Sequence, residues 1–67
     1  MTATDTVTIP GAKLKAQRKA YGITAIALAA KLQHDRDTIA EWERHPALDL
    51  RRQRLYLAAL RELADAL

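Results

Sequence analysis

A chain of 67 residues, 49% apolar and with a net charge of +3, holds enough for one modest core and sits near the size at which a domain still folds alone. It has no cysteine, which excludes a disulfide framework and any cysteine-ligated metal and fits a reducing cytoplasm. No basic region followed by an apolar stretch opens the chain and no apolar run is long enough to span a bilayer, so a cytoplasmic protein without a membrane partner is expected.

Residues 1–8 are threonine-rich, with one acid and no base, and read as a flexible segment preceding one domain over 9–67. Val7 and Ile9 alternate with threonines and have the pattern of a short strand. Pro10 and Gly11 mark the entry to a first helix that ends at Gly22, with Leu14 and Tyr21 facing the core. Thr24 caps a second helix, in which Ala25, Leu28, Ala29 and Leu32 form a face small enough for a close crossing. Asp35 caps a third, Arg36 to Arg44, and Pro46 stops it. Two caps eleven residues apart leave room for about two turns of helix and a tight turn.

Within the third helix Ile39 and Trp42 face inward together, so Arg36, Asp37, Ala40, Glu41 and Arg44 occupy the opposite face. Asp49 caps a last helix from Leu50 towards Leu67. At 100° per residue, Arg51, Arg54, Ala58, Arg61, Glu62 and Asp65 make one narrow stripe of it. Its apolar residues, Leu50, Leu55, Tyr56, Leu57, Leu60, Leu63, Ala64 and Leu67, spread over more than half the circumference. The rim helix of a monomer needs an apolar arc of only ~100° or a little more. A two-fold homodimer through Leu55, Tyr56, Ala59, Leu60, Leu63 and Leu67, joined by Ile26, is therefore expected.

Charge is unevenly placed. Lys13, Lys15, Arg18 and Lys19 make the first helix basic, whereas residues 33–45 set Arg36 and Arg44 against Asp35, Asp37, Glu41 and Glu43. Asp35 is accounted for as a cap. Arg51, Arg52 and Arg54 crowd a helix start, where the dipole disfavours cations, which points to a phosphate partner.

Two short capped helices, small residues at their crossing and a closing Trp42-Glu43 are what a DNA-reading helix-turn-helix needs. Leu14 to His45 resembles the Cro/CI type of helix-turn-helix, the small phage-repressor and xenobiotic-response-element family. The resemblance is carried by Leu14 and Arg18, Gly22, Ile23-Thr24, Leu28-Ala29, Leu32, Thr38-Ile39 and Trp42-Glu43, with Pro46 to Leu63 following loosely. It implies an all-α fold, a small helix-turn-helix bundle of four to five helices of the lambda-repressor-like kind. It also implies a structural pair between Arg18 and Glu43. Where the family usually has a phosphate-holding glutamine at the start of the second helix and a glycine in the turn, this chain has Ala25 and Gln33.

The expected function is sequence-specific binding of double-stranded DNA by a dimeric transcriptional regulator, most simply a repressor at a near-palindromic operator. Arg36, Asp37, Ala40 and Glu41 are the base-reading candidates, an arginine taking guanine O6 and N7 and an acid accepting from cytosine N4. Lys13, Lys15, Arg44, Arg51, Arg52 and Arg54 are the phosphate candidates. His34 and His45 have no third ligand with them, so no metal is expected. No cofactor, no small-molecule ligand and no catalysis are expected either, because so short a helical chain leaves little room for a water-excluding pocket. Two other uses share this sequence pattern: a helix-turn-helix serving as a protein-binding antiactivator or adaptor, and a DNA-architectural or excision factor of a mobile element.

Overall fold

Four helices follow one another in the computed structural model, which describes residues 8–67: α1 (Gly11–Ala20), α2 (Ala25–Leu32), α3 (Arg36–Arg44) and α4 (Leu50–Asp65). The expected flexible segment thus lies, apart from Thr8, outside the described residues. So does Val7; Ile9 forms a single antiparallel bridge with Leu48 rather than a strand. Its two hydrogen bonds, Ile9 N to Leu48 O at 3.3 Å and Leu48 N to Ile9 O at 2.8 Å, tie the start of the domain to the α3–α4 connection. The architecture is an all-α bundle, and among the described residues no helix is long and apolar enough to cross a membrane.

The helix ends are set by local chemistry. Thr24 accepts from the Ala27 amide at 3.1 Å and Asp35 from the Thr38 amide at 3.2 Å, each satisfying an otherwise orphaned donor of a first turn. After α1, Gly22 takes φ +74°, and Ile23 N reaches Arg18 O at 3.2 Å while Gly22 N reaches Lys19 O at 3.0 Å. This left-handed reversal with paired 6→1 and 5→2 bonds is a Schellman end. The same motif closes α2, with His34 N to Ala29 O at 2.9 Å and Gln33 N to Ala30 O at 3.2 Å, but here Gln33 holds the left-handed position at φ +60°. Asp49 occupies the N-cap position of α4, yet its carboxylate takes Arg52 Nη1 at 2.8 Å and caps no backbone amide.

The core is Leu14, Ile23, Leu28, Ala29, Ile39, Trp42, Leu48, Tyr56, Ala59 and Leu60. Tyr21 does not belong to it: the chain reverses at Gly22, Ile23 fills that end of the core, and Tyr21 is left 52% exposed. The broad apolar arc of α4 also resolves differently from the expected dimer interface. Helices α1 and α2 both pack on α4, so Tyr56, Ala59 and Leu60 are buried inside their own chain and Leu63 is half-buried against the same core. Of the six residues assigned to a dimer contact, only Leu55 and Leu67 are exposed, and Ile26 stands apart on α2 at 63% exposure.

Candidate nucleic-acid interface

Helix α3 is held from one side and bare on the other. Ile39, Trp42 and Glu43 are its buried residues, and the ring of His34 in the preceding turn meets Trp42 edge-on, centroids 5.4 Å apart. The key fixture is a buried polar network. Arg18 of α1 donates from Nε to Glu43 Oε2 at 2.7 Å and from Nη2 to Glu43 Oε1 at 3.2 Å, while its Nη1 bonds the Ile23 carbonyl at 2.9 Å. The Tyr56 hydroxyl of α4 donates to the same Glu43 Oε2. One carboxylate thereby joins α1, α3 and α4.

The protonation states follow from these contacts. Burial alone would raise the Glu43 carboxyl, but the hydrogen bonds from Arg18 and Tyr56, with the charges of Arg18 and Lys15, outweigh it and hold Glu43 below the usual carboxylate range. Its hydrogen bond to Glu43, against the opposing effect of burial, raises the Arg18 guanidinium further above neutrality. Burial and then the Glu43 carboxylate push the Tyr56 phenol up, so it remains a donor. Glu43 is an anion throughout the neutral range.

Away from these buried residues Asp37, Glu41 and Arg44 are exposed and Ala40 is half-buried, and Arg36 is exposed in the first turn at the edge of that face. They are the residues placed there by periodicity. Asp35, whose carboxylate also receives the Thr38 hydroxyl at 2.7 Å, is held below the usual range by those bonds and stays an anionic cap. Lys13 and Lys15 are exposed on α1, which packs against α3, and the charge of Lys15 helps to hold Glu43 anionic.

The three arginines opening α4 have separate surroundings. Arg52 is paired with Asp49, whereas Arg51 and Arg54 line a cleft of about 590 Å³ with Asp49, Leu50, Leu55 and Ala58. His45 Nδ1 accepts from the Ala47 amide at 3.2 Å, and among the described residues no cluster of three potential metal ligands occurs.

Three participants were missed by reading the sequence. Tyr56 is one; a phenol in an otherwise aliphatic buried stripe needs a partner for its hydroxyl, and that was the available signal. Gln53, buried in α4, donates from Nε2 to the Leu48 carbonyl at 2.8 Å. Gly11 is the third: a Cβ there would lie 1.9 Å from the Trp42 carbonyl oxygen, so the start of α1 can seat against the end of α3 only as glycine. No motif announces such a contact. Compared with protein-family models, curated proteins and solved structures, the chain matches none.

Proposed function

We propose that the protein is a sequence-specific DNA-binding regulator of the helix-turn-helix kind, lambda-repressor-like in fold, that enters the major groove with α3. The observation that carries this reading is the two-sidedness of α3. Its inner face is fixed by Ile39, Trp42 and the Arg18–Glu43–Tyr56 network, and its outer face offers Arg36, Asp37, Glu41 and Arg44 to solvent. A reading helix must be both rigidly mounted and unobstructed. Arg36, in the first turn, is the guanine reader of this proposal, with Asp37 and Glu41 as cytosine acceptors beside it. Lys13, Lys15 and Arg44 hold phosphates. The protein acts in the cytoplasm as a homodimer on a near-palindromic site, as a repressor, with no cofactor and no catalytic step.

Binding of the purified chain to labelled DNA from upstream of its own gene, in competition with scrambled DNA at two salt concentrations, tests the proposal. Specific binding that loses about 1–3 kcal/mol on Arg36→Ala supports it; binding that ignores sequence, or no binding, overturns it. The exposed acids Asp37 and Glu41 favour one second reading, a protein-binding adaptor. Its complex would hold in salt that dissociates a DNA complex.

A further inference from the structure

The outer face of α4 carries a seam that is complementary to itself. Arg51, Leu55, Ala58 and Glu62 follow at intervals of four, three and four residues, and all four are exposed; this is the spacing at which one helix presents a continuous edge to another. The order along the seam is cation, apolar, small, anion. Laid antiparallel on a second copy, Arg51 meets the partner's Glu62, Leu55 meets the partner's Ala58, and the two-fold repeats both contacts. Laid parallel, Arg51 would meet Arg51 and Glu62 would meet Glu62. Ala58 lets the two backbones approach, and the cleft bounded by Leu50, Arg51, Arg54, Leu55 and Ala58 receives the partner's Leu55. We propose that α4 pairs antiparallel with α4 of a second copy through Arg51, Leu55, Ala58 and Glu62.

Charge complementarity selects this occupant. In one chain Arg51 and Glu62 are eleven residues apart, about 16 Å along the helix, so they do not pair with each other. Glu62 does reach Lys31 of its own α2 at 2.9 Å, but both side chains are largely open, 62% and 41% exposed, and Glu62 keeps room for a second cation. Asp65, exposed one turn further on, adds negative charge at the end that meets the partner's Arg51 and Arg54. Arg61 lies on the far edge of the stripe from Leu55 and stays in solvent. A single helix pair buries less than the ~800 Å² per partner of a standard interface. The dimer is accordingly weak, with a dissociation constant on the order of micromolar or above, and it weakens further in salt.

The pairing would supply the two-fold of a palindrome-binding regulator, yet it does not depend on that reading and is tested without DNA. Sedimentation equilibrium of the full chain over a concentration series is the experiment. Wild type is expected to self-associate, Arg51→Glu to associate about tenfold more weakly or worse, and Arg51→Glu with Glu62→Arg to return near wild type. Arg51→Glu places an anion at a helix N-terminus, which favours the fold, so lost association is not lost folding. Lys31→Ala separates the intrachain role of Glu62 and should leave association unchanged. A wild type that is monomeric across the series, a double reversal no better than its single parents, or a Lys31→Ala variant as weak as Arg51→Glu would overturn the proposal.

Discussion

At the scale of single residues the fold turns on Glu43, where one carboxylate accepts from Arg18 and Tyr56 inside the core. Arg18→Ala leaves that carboxylate buried without its cation, a change that costs about 3–5 kcal/mol when a buried pair is broken from one side. A domain of this size has roughly 3–10 kcal/mol in total, so urea titration should find the variant with a third or more of its stability gone and its midpoint moved far down. The same carboxylate sets an acid limit. Because its folded pKa is depressed, its contribution is complete above the ordinary glutamate value of about 4.3 and is lost as pH falls through the folded value. Asp35 and Asp49, also depressed, act in the same direction. Melting curves between about pH 6 and pH 3 should fall steeply for wild type and more gently for Glu43→Gln, which starts from a lower stability; equal slopes would remove Glu43 from the account. Gln33 works the other way, as a non-glycine residue held at φ +60°. Gln33→Gly relieves a left-handed strain of about 1 kcal/mol, and the melting temperature should rise.

At the scale of elements, the end of α1 and the starts of α2 and α3 were legible because each has a local cause, whereas Asp49, expected to cap α4, pairs with Arg52 instead. Thr24 and Asp35 cap the starts of α2 and α3, and Gly22 reverses the chain after α1. The exposed face of α3 was legible for the same reason, since Ile39 and Trp42 fix its phase. What covers an apolar face was not legible. Periodicity put Tyr56, Ala59 and Leu60 on a buried stripe of α4, but burial against α1 and α2 and burial against a second copy leave the same pattern in the sequence. Tyr21 fell on the core face of α1 by spacing, yet the reversal at Gly22 gave its place to Ile23. The contact of Gly11 with the Trp42 carbonyl joins residues distant in sequence and left no periodic trace. It carries a prediction: Gly11→Ala must push α1 away from the end of α3, disturbing the seat of Arg18 on Glu43, and should destabilise by about 1–3 kcal/mol. An alanine tolerated at Gly11 in thermal melts would mean that α1 and α3 are less closely docked.

For the whole molecule, the net charge of +3 is less informative than where its charges are already committed. Asp35 is a cap, Glu43 belongs to Arg18 and Asp49 to Arg52. Subtracting those leaves α3 with Arg36 and Arg44 against Asp37 and Glu41, a face close to neutral, beside the cations of α1. Such a division separates affinity from discrimination. Lys13 and Lys15, with Arg44, would carry the counterion release that drives binding to any duplex, and the rest of α3 would contribute little to it. Lys13→Ala and Lys15→Ala should each lower affinity for specific and scrambled DNA alike and flatten the plot of log affinity against log salt by about 0.9 per subunit bound, about 1.8 for a dimer. Glu41→Gln should do the opposite: it removes repulsion from nearby phosphates, raising affinity for scrambled DNA, while replacing the charged acceptor for cytosine N4 with a weaker neutral one that can also donate to other bases. The ratio of specific to scrambled affinity should therefore fall although total binding rises. Were Glu41→Gln to raise both affinities equally, the acid would be a bystander to base reading, and discrimination would rest on Arg36 alone.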